Sequence, residues 1–198
     1  MSLRLSGGRR LLSPPGSLAR PTAARVRQAV MNVLAGRLPE CHWLDLCCGS
    51  GVIGCEALQR GAARLVAVER DARIAAVARR NLEAVAAARR PQPQLQVVRQ
   101  EVLRWLEPGS QARGQAPGFD LIYADPPYQA GLYDALTSAV RRGLWLRPDG
   151  LLLLECSTDN IPALAPGWRS VDVRRYGGTA VLILAADAQA EPLGMGLA

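Results

Sequence analysis

Apolar residues along this chain alternate between short unbroken runs and steps of three or four residues. The runs HWLDLCC (42–48), RLVAVER (64–70), LQVVR (95–99), FDLIYA (119–124) and GLLLLEC (150–156) predict strands, the first of them in the core. Helical spacing separates them in GVIGCEALQRG (51–61), DARIAAVARRNLEAVAAA (71–88), EVLRWL (101–106) and a stretch over about 131–143. In the longest of these, Ile74, Val77, Leu82 and Val85 form the inner face. An earlier amphipathic helix is predicted in PTAARVRQAVMNVLAG (21–36), with Val26, Val30, Val33 and Leu34 on one side, Thr22 as cap and Gly36 as stop. WRSVDVRRY (168–176) and TAVLILA (179–185) read as a hairpin turning at Gly177–Gly178. Residues 1–21 read as an irregular arm, and EPGSQARGQAPG (107–118) as a loop. Strand alternating with helix predicts an α/β fold: a seven-stranded, mostly parallel sheet, helices on both faces, and an antiparallel edge pair. The expected parts are a basic arm and helix (1–36), a catalytic domain (37–186) and a frayed tail (187–198).

The 198 residues, 49% of them apolar, suffice for a substantial core. No run of 18 apolar residues occurs, so no membrane span is expected. The net charge of +7 is unevenly distributed. Seven arginines and no acid precede Glu40, whereas the remaining 17 arginines are matched by 17 acids. Such an arm suits phosphate contact, although a solvated basic terminus has the same composition. Its prolines and glycines break a transit-type helix, and no secretory core is present, so a cytoplasmic location is expected. Cys41, Cys47, Cys48, Cys55 and Cys156 read as reduced core thiols. With His42 the only histidine, neither a metal site nor a histidine-dependent triad is expected.

The chemistry begins at LDLCCGSGVIG. Gly49, Gly51 and Gly54 make a G-x-G-x-x-G turn after the first strand, and Glu69 follows Gly49 by 20 residues, at the end of the second. By itself this spacing also admits NAD. Asp45 shifts the balance, because a carboxylate inside a core strand needs a partner. S-adenosylmethionine offers a sulfonium and an ammonium. Glu69 can take its ribose and Glu101 its adenine edge, with Ser50, Arg70 and Val102 beside them. Glu101 is equally well read as a first-turn acid favoured by its helix.

The second motif is ADPPY (124–128), at a strand-to-helix corner where parallel α/β proteins hold ligands. Asp125 and the carbonyl of Pro126 can accept both N–H bonds of a nucleobase amine, Pro127 stiffens the corner, and Tyr128 can stack on the base.

Taken together, GGRRLLSPPG, RPTAARVRQAVMNVL, LDLCCGSGVIGCEALQRGA, VAVER, DLIYADPPY, LLLLEC and RYGGTAVLIL resemble, in order, the RsmD-type 16S rRNA guanine-N2 methyltransferases. The resemblance implies a Rossmann-like class I methyltransferase fold, S-adenosylmethionine as methyl donor and 16S rRNA as partner, free or within the small ribosomal subunit. It implies substrate-side roles for Arg20, Pro21, Thr22, Arg25, Arg27 and Asn32, which Arg9 and Arg10 extend as RNA contacts. The chain departs from the family pattern at Ala24, Gln28, Met31, Cys47–Cys48 and Glu101. A monomer is expected. Rival readings are an adenine-N6 methyltransferase, an NAD-dependent oxidoreductase and a non-catalytic RNA-binding protein.

Overall fold

The computed structural model describes residues 3–14, 23–107, 118–127 and 132–187, which fall in two units, Met1–Val102 and Leu103–Ala198. The first contains three parallel strands, β1 (His42–Leu46), β2 (Arg64–Glu69) and β3 (Gln94–Arg99), with β2 paired to both others. Leu65 to Glu69 are all buried, which explains why this strand reads as an unbroken apolar run. Helix α2 (Val52–Gln59) is buried at every position from Val52 to Leu58, apolar on all sides but for Glu56. Helix α3 (Ala72–Ala86) starts where the Asp71 carboxylate accepts from the amides of Arg73 (2.8 Å) and Ile74 (3.0 Å). Its inner face holds Ile74, Ala78, Asn81, Leu82 and Val85, whereas Val77 is only half-buried.

Two local expectations change. Helix α1 (Ala24–Val33) buries Val26, Arg27, Val30 and Met31, and Leu34 just beyond it, while Val33 is exposed. The stripe follows 26, 30 and 34 with 27 and 31 beside them, so residue 33 faces outward. The helix begins after Ala23, and Gly36 lies in a 3-10 turn, Ala35–Arg37, rather than closing the helix. The proposed Thr22 cap lies outside the described residues.

The second change is larger. Residues 3–11 form a tight hairpin-like turn instead of an irregular arm. The Leu5 amide donates to Arg9 (3.0 Å) and the Leu11 amide to Leu3 (2.9 Å), while Gly8 reverses the chain at φ +82. Leu3 and Leu5 are buried. Two apolar positions among arginines and glycines were too few to announce a strand.

In the second unit, β4 (Phe119–Ala124) pairs in parallel with β5 (Leu146–Ser157). Strand β7 (Thr179–Ala186) is antiparallel to both β5 and β6 (Trp168–Tyr176). Helix α4 (Val102–Leu106) leads into this unit, and α5 (Leu132–Arg142) joins β4 to β5. The Trp105 and Trp145 rings stack at 4.6 Å, and Tyr123 donates its hydroxyl proton to the buried Glu155 carboxylate. The seven strands have the order β3-β2-β1-β4-β5-β7-β6. The hairpin is where the pattern predicted it, an antiparallel pair at one end of the sheet, with β6 outermost and β7 between β6 and β5. Their burial agrees: Ala180 to Ala185 are buried, whereas most of β6 is exposed. The loop expected over 107–118 and the tail expected over 187–198 lie almost wholly outside the described residues.

Candidate active site

Strand β1 delivers the chain into a turn with three left-handed residues in five: Cys47 (φ 59), Gly49 (φ 54) and Gly51 (φ 73). Left-handed backbone costs a non-glycine residue about 1–2 kcal/mol, so Cys47 is held there by its surroundings. The next amide, of Cys48, donates to Val68 on β2 (3.0 Å), and Gly51 donates back to Cys48 (2.8 Å). A side chain at Gly49 would meet nothing within 4 Å, so the backbone is open to a ligand. Gly54 is the opposite case. A Cβ there would come within 2.9 Å of Leu65 Cδ1 and 3.1 Å of Asp45 Oδ2, so glycine is what lets α2 lie against β1.

Two carboxylates converge on this turn. Glu69 is buried; its Oε2 accepts the Gly49 amide (3.0 Å) and its Oε1 the Asp71 amide (2.9 Å). It therefore fastens the turn, and a carboxylate has about four acceptor positions, leaving two for ligand hydroxyls. Asp45 is 2% exposed and its Oδ2 accepts the Gly54 amide at 3.1 Å. Burial pushes its carboxyl up to about 7; the Gly54 amide pulls the other way, and the charge of Glu69 adds to the rise. At neutral pH this carboxyl is about half ionised, and a cation brought beside it would favour the ionised form. Burial, with Asp45 and Glu69 close by, also pushes the Cys48 thiol up, and burial with Asp45 does the same for Cys55. Both thiols stay protonated and are not nucleophiles. Around the turn, Ser50 and Val102 are buried, while Arg70 and Glu101 are exposed.

The ADPPY corner belongs to the second unit. Asp125 is half-buried, Pro126 buried and Pro127 exposed directly after β4. Tyr128 lies outside the described residues.

The basic residues divide. Arg9, Arg10 and Arg25 are exposed, as is Asn32, whose Oδ1 accepts from Arg60 at 3.4 Å. Arg9 reaches across to the Ala84 carbonyl (2.9 Å). An open groove of about 620 Å³ runs between the hairpin and α3, with Arg9, Arg10 and Arg80 on its walls. Arg27 is turned inward: it is 3% exposed, donates to the Arg4 carbonyl (2.6 Å) and lies 3.9 Å from Glu56. Its guanidinium is committed to the core, so solvent-side RNA contact does not suit it. Arg20, Pro21 and Thr22 lie outside the described residues.

Two buried polar residues escaped the sequence reading. Glu56 accepts both the amide (2.8 Å) and the hydroxyl (2.9 Å) of Ser6, pinning the hairpin to α2. Asn81 interrupts the apolar face of α3 and pins the other end of the same segment. A lone polar residue on an otherwise apolar helical face was the available signal for each. Among the described residues no group of three His, Cys, Asp or Glu could hold a metal, and no helix is long and apolar enough to cross a membrane.

A parallel sheet with one reversed strand next to its edge, a glycine turn after β1 and an acid ending β2 together define a class I S-adenosylmethionine-dependent methyltransferase. Comparison with known proteins narrows this. The family described as Conserved hypothetical protein 95 matches residues 5–185. Ribosomal RNA small subunit methyltransferase D of Haemophilus influenzae is 31% identical over 147 residues, 74% of this chain and 72% of that protein. The protein of the same name from Escherichia coli K12 is 28% identical over 185 residues, 93% of this chain and 88% of its own. Of the solved structures, Escherichia coli yhhF superimposes with a TM-score of 0.79 at 26% identity, covering 96% of this chain and all of its own. A hypothetical protein of Thermus thermophilus gives 0.74 at 26% identity, over 93% and 99%. The chain belongs to this family, the RsmD-type rRNA methyltransferases.

Proposed function

We propose that the protein methylates the exocyclic N2 amine of a guanine in small-subunit (16S) ribosomal RNA, with S-adenosylmethionine as donor. The observation that carries the cofactor half is the buried Asp45 carboxylate, raised to about 7 beneath an open glycine turn. These residues fit a ligand carrying positive charge better than a pyrophosphate. S-adenosylmethionine, when bound, supplies an electrophilic methyl group on a sulfonium. Asp45 ionises fully once a cation is near, Gly49 leaves its backbone open, and Glu69 offers its two remaining acceptor positions to the ribose.

On the substrate side the difficulty is the amine itself, whose lone pair is delocalised into the guanine ring. Asp125 Oδ and the Pro126 carbonyl accept its two N–H bonds and favour a more tetrahedral nitrogen. Pro127 stiffens the corner and Tyr128 stacks on the base. The proton leaves late, to Asp125 or to water. Arg9, Arg10 and Arg25, with Arg20, Pro21, Thr22 and Asn32, hold the RNA. The choice of small-subunit rRNA is supported by the names of the relatives, and a cytoplasmic monomer suits that substrate.

The test is transfer of tritium from labelled S-adenosylmethionine to undermethylated small-subunit RNA and particles, followed by nucleoside analysis. N2-methylguanosine is the expected product. N6-methyladenosine would replace the guanine assignment, and RNA binding without transfer would replace catalysis.

A further inference from the structure

Asn81 spends its whole amide on two backbone segments distant in sequence. Its Oδ1 accepts the Leu12 amide at 2.8 Å, and its Nδ2 donates both to the Leu12 carbonyl and to the Ser50 carbonyl, each at 3.0 Å. The residue is 2% exposed; its bond to Ser50 is buried, and the two to Leu12 are part-buried at the groove wall. Leu12 closes the basic hairpin segment. Ser50 stands between Gly49 and Gly51, both left-handed, in the turn that approaches the ligand. A peptide flanked by two such glycines is easily reoriented, and the Asn81 donor holds its carbonyl direction. The segment's other end is fixed to α2, the helix that leaves this turn, by the paired bonds from Ser6 to Glu56.

We propose that Asn81 is a positioning residue that makes seating of the N-terminal hairpin and cofactor binding one coupled equilibrium. When the hairpin lifts, Asn81 loses both bonds to Leu12, the one its Oδ1 accepts and the one its Nδ2 donates, and rotates to find others. The Ser50 carbonyl is then released and the turn loses its ligand-ready shape. Coupling is reciprocal, so whatever seats the hairpin tightens the cofactor site, and the cofactor seats the hairpin. RNA phosphates on Arg9 and Arg10 are positioned to do the former. The inference rests on the cofactor reading above but needs no methyl transfer to be tested.

The first measurement uses the full-length parent protein. Amide hydrogen exchange over residues 3–14 is compared with and without saturating S-adenosylhomocysteine. Slower exchange at Leu12 and across the hairpin is expected, by about 5-fold or more, the lower end of usual coupling. Unchanged exchange in a protein that calorimetry shows to bind the ligand overturns the proposal and leaves the cofactor reading standing. A parent protein that binds no S-adenosylhomocysteine overturns the reading and the proposal together. The second measurement is Asn81→Leu, which keeps bulk but loses all three bonds. Its ligand dissociation constant should rise about 5- to 150-fold. The tightening that a short single-stranded RNA produces in the parent should also vanish. A variant that melts lower but binds with parental affinity and keeps the RNA effect would show that Asn81 is a structural residue only.

Discussion

Asp45 gives the sharpest test of the cofactor site, because its carboxyl titrates between the free and bound states. In the folded chain it is raised from the ordinary 3.8 to about 7, chiefly by burial. At 1.36 kcal/mol per pH unit, this corresponds to about 4 kcal/mol of preference for the neutral form. The sign follows from linkage. The folded protein holds the proton more tightly than the unfolded chain, so this contribution is fully present below 3.8. It is lost as pH rises through 7. Above that the free protein carries a buried anion, which a cationic ligand relieves. At pH 6 about nine-tenths of Asp45 is protonated, and at pH 8 about one-tenth. Binding of S-adenosylmethionine should therefore release close to one proton at pH 6 and little at pH 8. Affinity should climb about tenfold per pH unit below 7 and level off above it. Calorimetry in buffers of different ionisation enthalpy reads the proton count directly. Asp45→Asn keeps an acceptor for the Gly54 amide and cannot ionise, so subtracting its profile removes the titration of the ligand's own amine. The variant should bind more weakly at pH 8, yet without ligand it should melt higher than the parent there. Each kcal/mol is worth about 2–4 °C in a chain of this size. Equal proton release by parent and Asp45→Asn would refute the assignment of Asp45 as the group that ionises for the cofactor.

Three further outcomes are expected. Gly54→Ala should destabilise the fold by about 1–3 kcal/mol and weaken S-adenosylhomocysteine binding, since the new methyl drives into Leu65 and the Asp45 carboxylate; denaturant melts and calorimetry report each effect. Changing Arg9, Arg10 and Arg25 together to Gln should weaken RNA binding and flatten the plot of log affinity against log salt by about 0.7–0.9 per lost contact, with cofactor affinity unchanged. Arg27 is left in place in that variant because it faces Glu56 in the core. Asp125→Asn should lower single-turnover methyl transfer at least about 100-fold while both substrates still bind, as expected for one preorganised partner of the developing charge.

The sequence determined the parts whose information is local. Unbroken apolar runs located the core strands β1, β2, β4 and β5, because a strand buried on both faces cannot alternate, as β2 shows from Leu65 to Glu69; β3 and β6, exposed along much of their length, were read from shorter apolar stretches. The glycine turn, the acid ending β2 and the proline corner were legible because special backbone geometry and unusual chemistry restrict the residues allowed. Tertiary structure decided matters that depend on distant partners. It placed β7 inside the sheet, because pairing partners are chosen across the fold rather than along the chain. It turned Arg27 inward and Val33 outward, since only the position of the core tells which side of α1 is wet. The N-terminal segment became a seated hairpin through Glu56 and Asn81, residues 50 and 69 positions away from Ser6 and Leu12. A buried polar side chain draws its meaning from the group it satisfies, and that group was brought to it by folding.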